Sequence, residues 1–208
     1  KTSDVYTTPW ASGGNNVSGV ISGNQTWALA GSPYNLTGNV QLADGYTLTI
    51  AAGVTVNGDG YDLQIFGTLT AVGTSTLKIT FNDVIIKSGT SFYSMGLQYC
   101  VINDGTLLNP ISNMGDGEIS LKDSELNDVG GYIYLNSVDG DCYFDRNIFK
   151  DSGRIDIGFG GSSKAVYIRN NVFYQSSASS FMTQGYAIGN WSLANGTQII
   201  LNNSFLST

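Results

Sequence analysis

Three aspartates occupy the same position in successive copies of a repeated segment. Asp104, Asp128 and Asp151 are separated by 24 and 23 residues, and Gln175 takes the next place. Stacked one strand apart, neighbouring carboxylates would repel by about 1 kcal/mol in water and about 3 kcal/mol when half buried. One interpretation is a Ca²⁺ site, because Ca²⁺ takes several carboxylate oxygens in flexible geometry. The other is a row of turn aspartates that bond their own backbone and face solvent.

A second candidate is a face of polar and aromatic side chains. If Ile133 points inward, Tyr132 and Tyr134 point outward, and Arg154 and Asp156 follow one repeat later. Aromatic rings beside fixed polar groups are what a flat saccharide-binding surface requires. Tyrosine is also a good strand former, so a purely structural interpretation of this face stays open beside the carbohydrate-contacting one.

The chain contains no histidine. This excludes Ser/His/Asp and Cys/His triads and most zinc sites. No phosphate-binding loop or dinucleotide fingerprint is present in its required context. The sequence therefore predicts no catalytic residues and no required cofactor, and it favours a protein that is not an enzyme without deciding the question.

These residues are positioned by an internal repeat that runs from Met95 to Phe205, with offsets of 24, 23, 24 and 32 residues. A period in this range is typical of a solenoid. One column of apolar residues is predicted to stack in the core: Leu97, Leu121, Phe144, Ile168 and Ile200. A second apolar column contains Ile102, Leu126, Phe149, Phe173 and Phe205. Between them we predict an inward ladder at a turn, where asparagine tolerates the αL conformation: Cys100, Ser124, Asn147, Asn171 and Asn203.

Apolar residues within each copy alternate with period two over short runs that Gly, Asn, Asp and Ser interrupt. This pattern indicates strands, not helices. About 23 residues suffice for three short strands and their bends. We therefore predict an all-β chain folded as a right-handed parallel β-helix, with three strands per coil and about 7–9 coils. Lys122, Asp145 and Arg169 share an outward column, where alternating charge would stabilise neighbouring strands.

The repeated Asn-x-Phe units and the segment from Ile21 to Phe81 carry a family resemblance. The units are Asn147-Ile-Phe149, Asn171-Val-Phe173 and Asn203-Ser-Phe205, and the segment opens with Ile21-Ser-Gly-Asn-Gln-Thr-Trp27. In these features the sequence resembles the right-handed parallel β-helix superfamily of pectate-lyase-like solenoids, as found in secreted and surface proteins of bacteria and archaea. The resemblance implies a fold and no particular activity. Because pectate lyases pair calcium aspartates with a basic residue, it makes Ca²⁺ worth testing and Arg154 the candidate base.

We predict one domain over residues 1–208. Residues 1–19 form an irregular lead-in that covers the first coil, residues 20–89 form coils of shorter spacing, and residues 90–208 form regular coils. Insertions at 107–117 and 176–195 are expected to make loops on one side of the solenoid, where function is usually carried. Cys100 and Cys142 fall in different columns, so both thiols are predicted to be free and buried.

The net charge of -7 argues against nucleic acid and anionic membranes as partners. No apolar run is long enough to insert in a bilayer. A start at Lys1 without a signal segment suggests a mature secreted or trimmed chain. Glycosylation sequons, barely more frequent than chance, are compatible with a secreted or cell-surface glycoprotein: Asn16, Asn24, Asn35, Asn190, Asn195 and Asn202.

The expected function is that of an extracellular or cell-surface module, either structural or in contact with a polysaccharide or glycan. The last coil carries neither charge nor proline, so self-association through the solenoid ends, as in a fibre or filament subunit, is a further expectation. The alternative is a polysaccharide lyase or glycoside hydrolase built on the same scaffold.

Overall fold

The computed structural model describes residues 14–89, 94–107, 118–130, 133–136, 140–152, 155–158, 165–175, 188–190 and 197–207. Within these ranges the only helical segment is a short 3-10 turn, Leu29–Gly31, and no described helix is long and apolar enough to cross a membrane. The strands, in chain order, are β1 (Asn15–Ile21), β2 (Gln25–Trp27), β3 (Tyr34–Leu42), β4 (Thr47–Ile50), β5 (Thr55–Asn57), β6 (Asp62–Ile65), β7 (Thr68–Val72), β8 (Ile79–Asn82), β9 (Ile85–Ser88), β10 (Ser94–Gln98), β11 (Cys100–Asn103), β12 (Thr106–Leu107), β13 (Ile119–Lys122), β14 (Glu125–Asn127), β15 (Ile133–Asn136), β16 (Cys142–Asp145), β17 (Ile148–Lys150), β18 (Ile155–Gly158), β19 (Ala165–Arg169), β20 (Val172–Gln175), β21 (Ile188–Asn190), β22 (Thr197–Leu201) and β23 (Ser204–Ser207).

Every strand pair of the described chain is parallel. The first face of the solenoid is the eight-stranded sheet β2-β4-β7-β10-β13-β16-β19-β22. The second face runs from β5 to β23, and the third face contains β6, β9 and β12; the long strand β3 joins both into one 12-stranded sheet. The prediction of an all-β parallel solenoid is confirmed.

The predicted number of coils is corrected. The solenoid has about five turns instead of the expected 7–9, although its first face stacks eight strands. A full turn requires a strand on each of three faces, and the third face is interrupted: the described strands β12 and β15 belong to separate sheets, the latter to the small sheet β15-β18-β21.

Both predicted apolar columns are confirmed by the strand register, but their last members, Ile200 and Phe205, are aligned and exposed, not buried in the core as expected. Leu97, Leu121, Phe144 and Ile168 are consecutive partners on the first face and are almost completely buried. On the second face the phenylalanine rings of the last coils stack, with centroids 4.6 Å and 5.2 Å apart. Each such buried side chain contributes roughly 1.5–3 kcal/mol, so the columns account for much of the core.

The predicted inward ladder is also present, and it caps backbone donors from one coil to the next. We call it the asparagine ladder. The Ser124 hydroxyl accepts a hydrogen bond from the backbone N–H of Cys100 at 3.0 Å, and Asn147 Oδ1 accepts one from Ser124 N–H at 3.1 Å. Asn171 and Asn203 repeat the arrangement. Because these groups are buried away from water, each satisfied donor avoids a desolvation penalty of about 1–3 kcal/mol.

The αL conformation at this turn belongs to the residue before each ladder position, which corrects the expectation that the ladder residues themselves adopt it. These preceding residues have φ between 51° and 58° and are Tyr99, Asp123, Arg146, Asn170 and Asn202. Their backbone reverses direction at the corner, and the ladder side chain that follows is then free to point inward.

The two cysteines are free and buried, as predicted, and burial raises the pKa of the Cys100 thiol to about 12.

A second row of asparagines, which the repeat analysis did not identify, runs along the end of the second face. We call it the amide ladder. Each side-chain amide donates to the carbonyl oxygen of the preceding one over 2.9–3.0 Å. Its members are Asn35, Asn57, Asn82, Asn103 and Asn127. This chain of amides ties five consecutive coils together beside the corner where the aspartates lie.

Candidate functional site

The three predicted aspartates are stacked at the corner that follows the amide ladder. The backbone N–H of Asp104 donates to Asn127 O at 3.0 Å, and that of Asp128 donates to Lys150 O at 3.0 Å. The row continues toward the N-terminus with Asp83, whose N–H donates to Asn103 O at 2.8 Å, and with Asp59, which lies one residue beyond Gly58, the residue at the equivalent position. All members have φ between 48° and 55°, and we call the row the aspartate ladder: Asp59, Asp83, Asp104, Asp128 and Asp151.

Desolvation and like charge both act on the carboxyl groups of the aspartate ladder. Desolvation first, and then the charges of Asp151 and Asp104, raise the pKa of Asp128 above its usual value. Desolvation and the charges of Asp59 and Asp104 likewise raise the pKa of Asp83. Within the described ranges, no three acidic or other metal-binding side chains converge on one point. The aspartates therefore form a row, not a chelating cage, and a Ca²⁺ ion bridging them stays a prediction.

The predicted aromatic face lies partly outside the described residues. Tyr134 of β15 and Asp156 of β18 are register partners in the small three-stranded sheet, as the repeat predicts. Tyr132 and Arg154 lie outside the described residues. The carbohydrate-contacting role of this group of four stays a prediction.

A different group of aromatic and charged side chains comes together on the outside of the first face. Tyr143 of β16 and Tyr167 of β19 point outward, because their neighbours on either side in the strands are buried in the core. The two tyrosines are register partners. Their rings stack with centroids 4.9 Å apart and planes inclined by 3°. Stacking of this kind contributes about 0.5–1.5 kcal/mol beyond burial.

Two bidentate ion pairs lie at the C-terminal ends of these strands. Arg169 donates to both carboxylate oxygens of Asp145 over 2.8 Å and 2.6 Å, so this part of the predicted charged column is formed. Arg146 binds Asp123 in the same way over 2.6 Å and 2.8 Å. The pKa of the Asp123 carboxyl is lowered, chiefly by its hydrogen bonds to Arg146. Each pair joins equivalent positions of neighbouring coils: Asp145 and Arg169 are register partners, and Asp123 and Arg146 directly follow the register partners Lys122 and Asp145.

Cations also lie over the two tyrosine rings. Lys122 Nζ is 4.6 Å from the centroid of Tyr143, and the Arg169 guanidinium carbon is 4.9 Å from the centroid of Tyr167. Such contacts contribute about 0.5–1 kcal/mol at exposed sites. The ring faces are thus in contact with each other and with cations, which leaves the ring edges and hydroxyls toward the outside.

Two carboxylates lie at the other, N-terminal end of the same strands. Asp141 Oδ2 accepts a hydrogen bond from the Tyr143 hydroxyl at 3.2 Å, and its Oδ1 accepts one from Ala165 N–H at 3.0 Å. Glu118 is exposed and lies one coil away, since the N–H of the next residue, Ile119, donates to Asp141 O. Desolvation, and then the negative charges of Asp141 and Glu118, raise the pKa of Tyr143.

This surface, which we call the first-face strip, consists of Glu118, Lys122, Asp123, Asp141, Tyr143, Asp145, Arg146, Tyr167 and Arg169. Sequence analysis found its column of three charges but missed the tyrosine pair. A signal for the pair exists in the sequence, because the 24-residue offset that aligns Phe144 with Ile168 also aligns Tyr143 with Tyr167. The twelve tyrosines of the chain conceal it until the register is known.

The predicted sequons differ in their surroundings. Asn16, Asn24 and Asn202 are exposed, although Asn24 Oδ1 accepts a hydrogen bond from the backbone of the next coil. Asn35 Oδ1 accepts the first hydrogen bond of the amide ladder, whereas its Nδ2, the atom that carries an N-glycan, donates no bond within the ladder. Asn190 lies in β21, and Asn195 lies outside the described residues. Glycosylation of these sites stays a prediction.

Comparison with protein-family models, with curated proteins and with solved structures finds no match. The parallel β-solenoid is therefore established by the structure itself, and the pectate-lyase-like superfamily is a resemblance in sequence pattern.

Proposed function

We propose that this protein is an extracellular or cell-surface β-helix module that contacts a polysaccharide through the first-face strip. The observation that carries the proposal is the stacked pair of Tyr143 and Tyr167, held at 4.9 Å beside two bidentate arginine–aspartate pairs. A rigid row of hydroxyl, carboxylate and guanidinium groups on a sheet can bond the many hydroxyls of a sugar chain without losing much conformational freedom.

The mode of contact differs from simple ring stacking. Because the ring faces of Tyr143 and Tyr167 already contact each other and two cations, a glycan would contact ring edges and bond the phenol hydroxyls and carboxylates. Hydrogen bonds to charged groups contribute more than those between neutral groups, about 1.5–3 kcal/mol each. Membership of the pectate-lyase-like superfamily and a secreted location belong to the same proposal, supported by the Asn-x-Phe units and the exposed sequons.

The test is a glycan array with the purified protein, followed by calorimetry on the glycans that bind. We expect Tyr167→Ala to weaken binding by about tenfold, equivalent to about 1.4 kcal/mol. Tyr61→Ala is the control, because it removes an exposed tyrosine ring that lies away from the strip. Unchanged affinity in Tyr167→Ala and in Tyr143→Ala, or no glycan binding at all, would reject the proposal.

We propose self-association through the solenoid ends as a second function, that of a fibre or filament subunit. Four large apolar side chains of the last two strands are exposed: Ile200, Leu201 (53%), Phe205 (57%) and Leu206. Strands β22 and β23 contain no charged residue and no proline. Such an edge is a template for another strand, and a head-to-tail contact that does not close generates filaments.

A further inference from the structure

We infer that the glycan bound by the first-face strip is cationic, as in a chain of amino sugars with free amines. This inference rests on the function proposed above and names its ligand class. It follows from which charged groups of the strip are already bonded and which are open to a ligand.

The guanidinium groups of the strip are committed to the protein. An acidic glycan would be recognised by arginine forks that bind its carboxylates bidentately. Here the fork of Arg146 is closed by Asp123, and the fork of Arg169 is closed by Asp145. Gln98 also donates to Asp123 at 2.9 Å, which holds this carboxylate against the arginine. A uronate is left with the remaining N–H donors at the outer edge of each guanidinium, whose charge the bound aspartate already balances.

The carboxylates at the N-terminal end of the strip have no such closure. Within the described residues, neither Glu118 nor Asp141 takes part in an ion pair; the four ion pairs use Glu125, Asp62, Asp123 and Asp145. These two belong to neighbouring coils, about 4.8 Å apart along the axis, and Asp141 is oriented by the Tyr143 hydroxyl and the Ala165 N–H. An ammonium group has three donors and no acceptor, which suits two carboxylates and a phenol oxygen. Lys164, whose position precedes Ala165, lies outside the described residues.

The net negative charge of the strip and of the whole chain also favours a cationic ligand. The strip has four carboxylates against three cations, Lys122, Arg146 and Arg169. The whole chain has a net charge of -7. A negative potential of this kind raises the local concentration and association rate of cations and repels polyanions. Both the near contacts and the long-range field therefore favour an amine-bearing glycan over a uronate.

The experiment measures the affinity of the full chain for three soluble hexamers: β-1,4-linked glucosamine, its N-acetylated form and galacturonate. A mildly acidic buffer keeps the sugar amines protonated. We expect the glucosamine hexamer to bind at least about tenfold more tightly than the other two at low salt, with the preference reduced as salt screens the charges. Glu118→Gln and Asp141→Asn should each lower this affinity by about threefold to tenfold.

Asp104→Asn is the matched control, because it removes the same charge from the aspartate ladder and should leave the affinity unchanged. Circular dichroism of each variant confirms that the fold is intact. Equal or tighter binding of the N-acetylated or galacturonate hexamer overturns the inference and leaves carbohydrate contact standing. An equal loss of affinity in Asp104→Asn and Asp141→Asn also overturns it, since only net charge would then matter. Failure of all glycans, including neutral ones on the array, would overturn the proposed function itself.

Discussion

At the scale of single residues, the aspartate ladder shows how turn geometry and electrostatics conflict. Aspartate is one of the few residues other than glycine that adopt αL readily, and each ladder member has φ near 50°. Because aspartate occupies this αL position in neighbouring coils, like charges lie one strand apart. Desolvation first, and then these like charges, raise the pKa values of Asp83 and Asp128. Asparagine would serve the same turn without the repulsion.

We predict that Asp128→Asn stabilises the protein at neutral pH by up to about 1 kcal/mol, because it keeps the turn and removes a like charge. A group whose pKa is raised on folding favours the folded state below its unfolded pKa and loses that contribution as the pH rises. The advantage of the variant should therefore shrink as the pH falls through the pKa of Asp128, which lies above the usual 3.8. Urea unfolding at several pH values measures this effect. Asp44→Asn, in an exposed turn away from the ladder, is the control, and a variant no more stable than the wild type contradicts the prediction.

The aspartate ladder is also where the predicted Ca²⁺ site can be tested. We expect millimolar Ca²⁺ to raise the melting temperature of the wild type relative to EDTA, because a divalent cation screens stacked carboxylates. Asp128→Asn should lose most of this shift. Differential scanning calorimetry measures both. A melting temperature that does not respond to Ca²⁺ assigns the ladder to ordinary turn chemistry.

At the scale of elements, the strands are joined by side-chain ladders as well as by backbone hydrogen bonds. The asparagine ladder satisfies buried donors at the corner between the first and second faces. The amide ladder repeats the principle at the next corner with five stacked side chains. Because hydrogen bonds to a neighbouring coil depend on register, these ladders favour one alignment of the strands over slipped ones.

We predict that Asn147→Ala destabilises the protein by about 2–4 kcal/mol, because it leaves several buried partners unsatisfied. The Asn147 side chain bonds Ser124 N–H, Leu121 O and the Asn171 amide. Asn147→Ser should cost less, since Ser124 already fills the equivalent place with a hydroxyl. Chemical denaturation measures both variants, and equal losses for alanine and serine would show that the hydrogen bonds are not the cause.

At the scale of the whole molecule, polarity is distributed unevenly over the solenoid. The first-face strip concentrates charge and tyrosine on one side, whereas the last coil exposes Ile200 at 44% together with other apolar side chains. Within the described residues β22 and β23 are the last strands of their sheets, so the apolar columns and the open backbone groups at this edge can be covered by a further strand. The side and the end of the molecule therefore suit different kinds of contact.

We predict concentration-dependent end-to-end assembly of this chain, visible as filaments by negative-stain electron microscopy and as a rising mass in light scattering. Phe205→Lys should abolish it, because a charge at the edge opposes strand addition. Leu77→Lys is the control, since Leu77 is equally exposed but lies at a corner remote from the last coil. A protein that stays monomeric at all concentrations contradicts the prediction.

The sequence by itself determined the parallel solenoid, the two apolar columns and the asparagine ladder, because between Leu97 and Ile168 nearly constant offsets place equivalent residues over one another. The tertiary structure decided what depends on coils of unequal length or on side-chain reach. Members of the amide ladder are separated by 22, 25, 21 and 24 residues, so no single period reveals them. The pair of Arg146 and Asp123 occupies equivalent positions 23 residues apart, but the spacing does not give the direction of the two side chains, and only the structure shows that they meet. Sequence spacing follows the path of the chain, whereas hydrogen bonds and ion pairs follow distance between coils, and only the strand register converts one into the other.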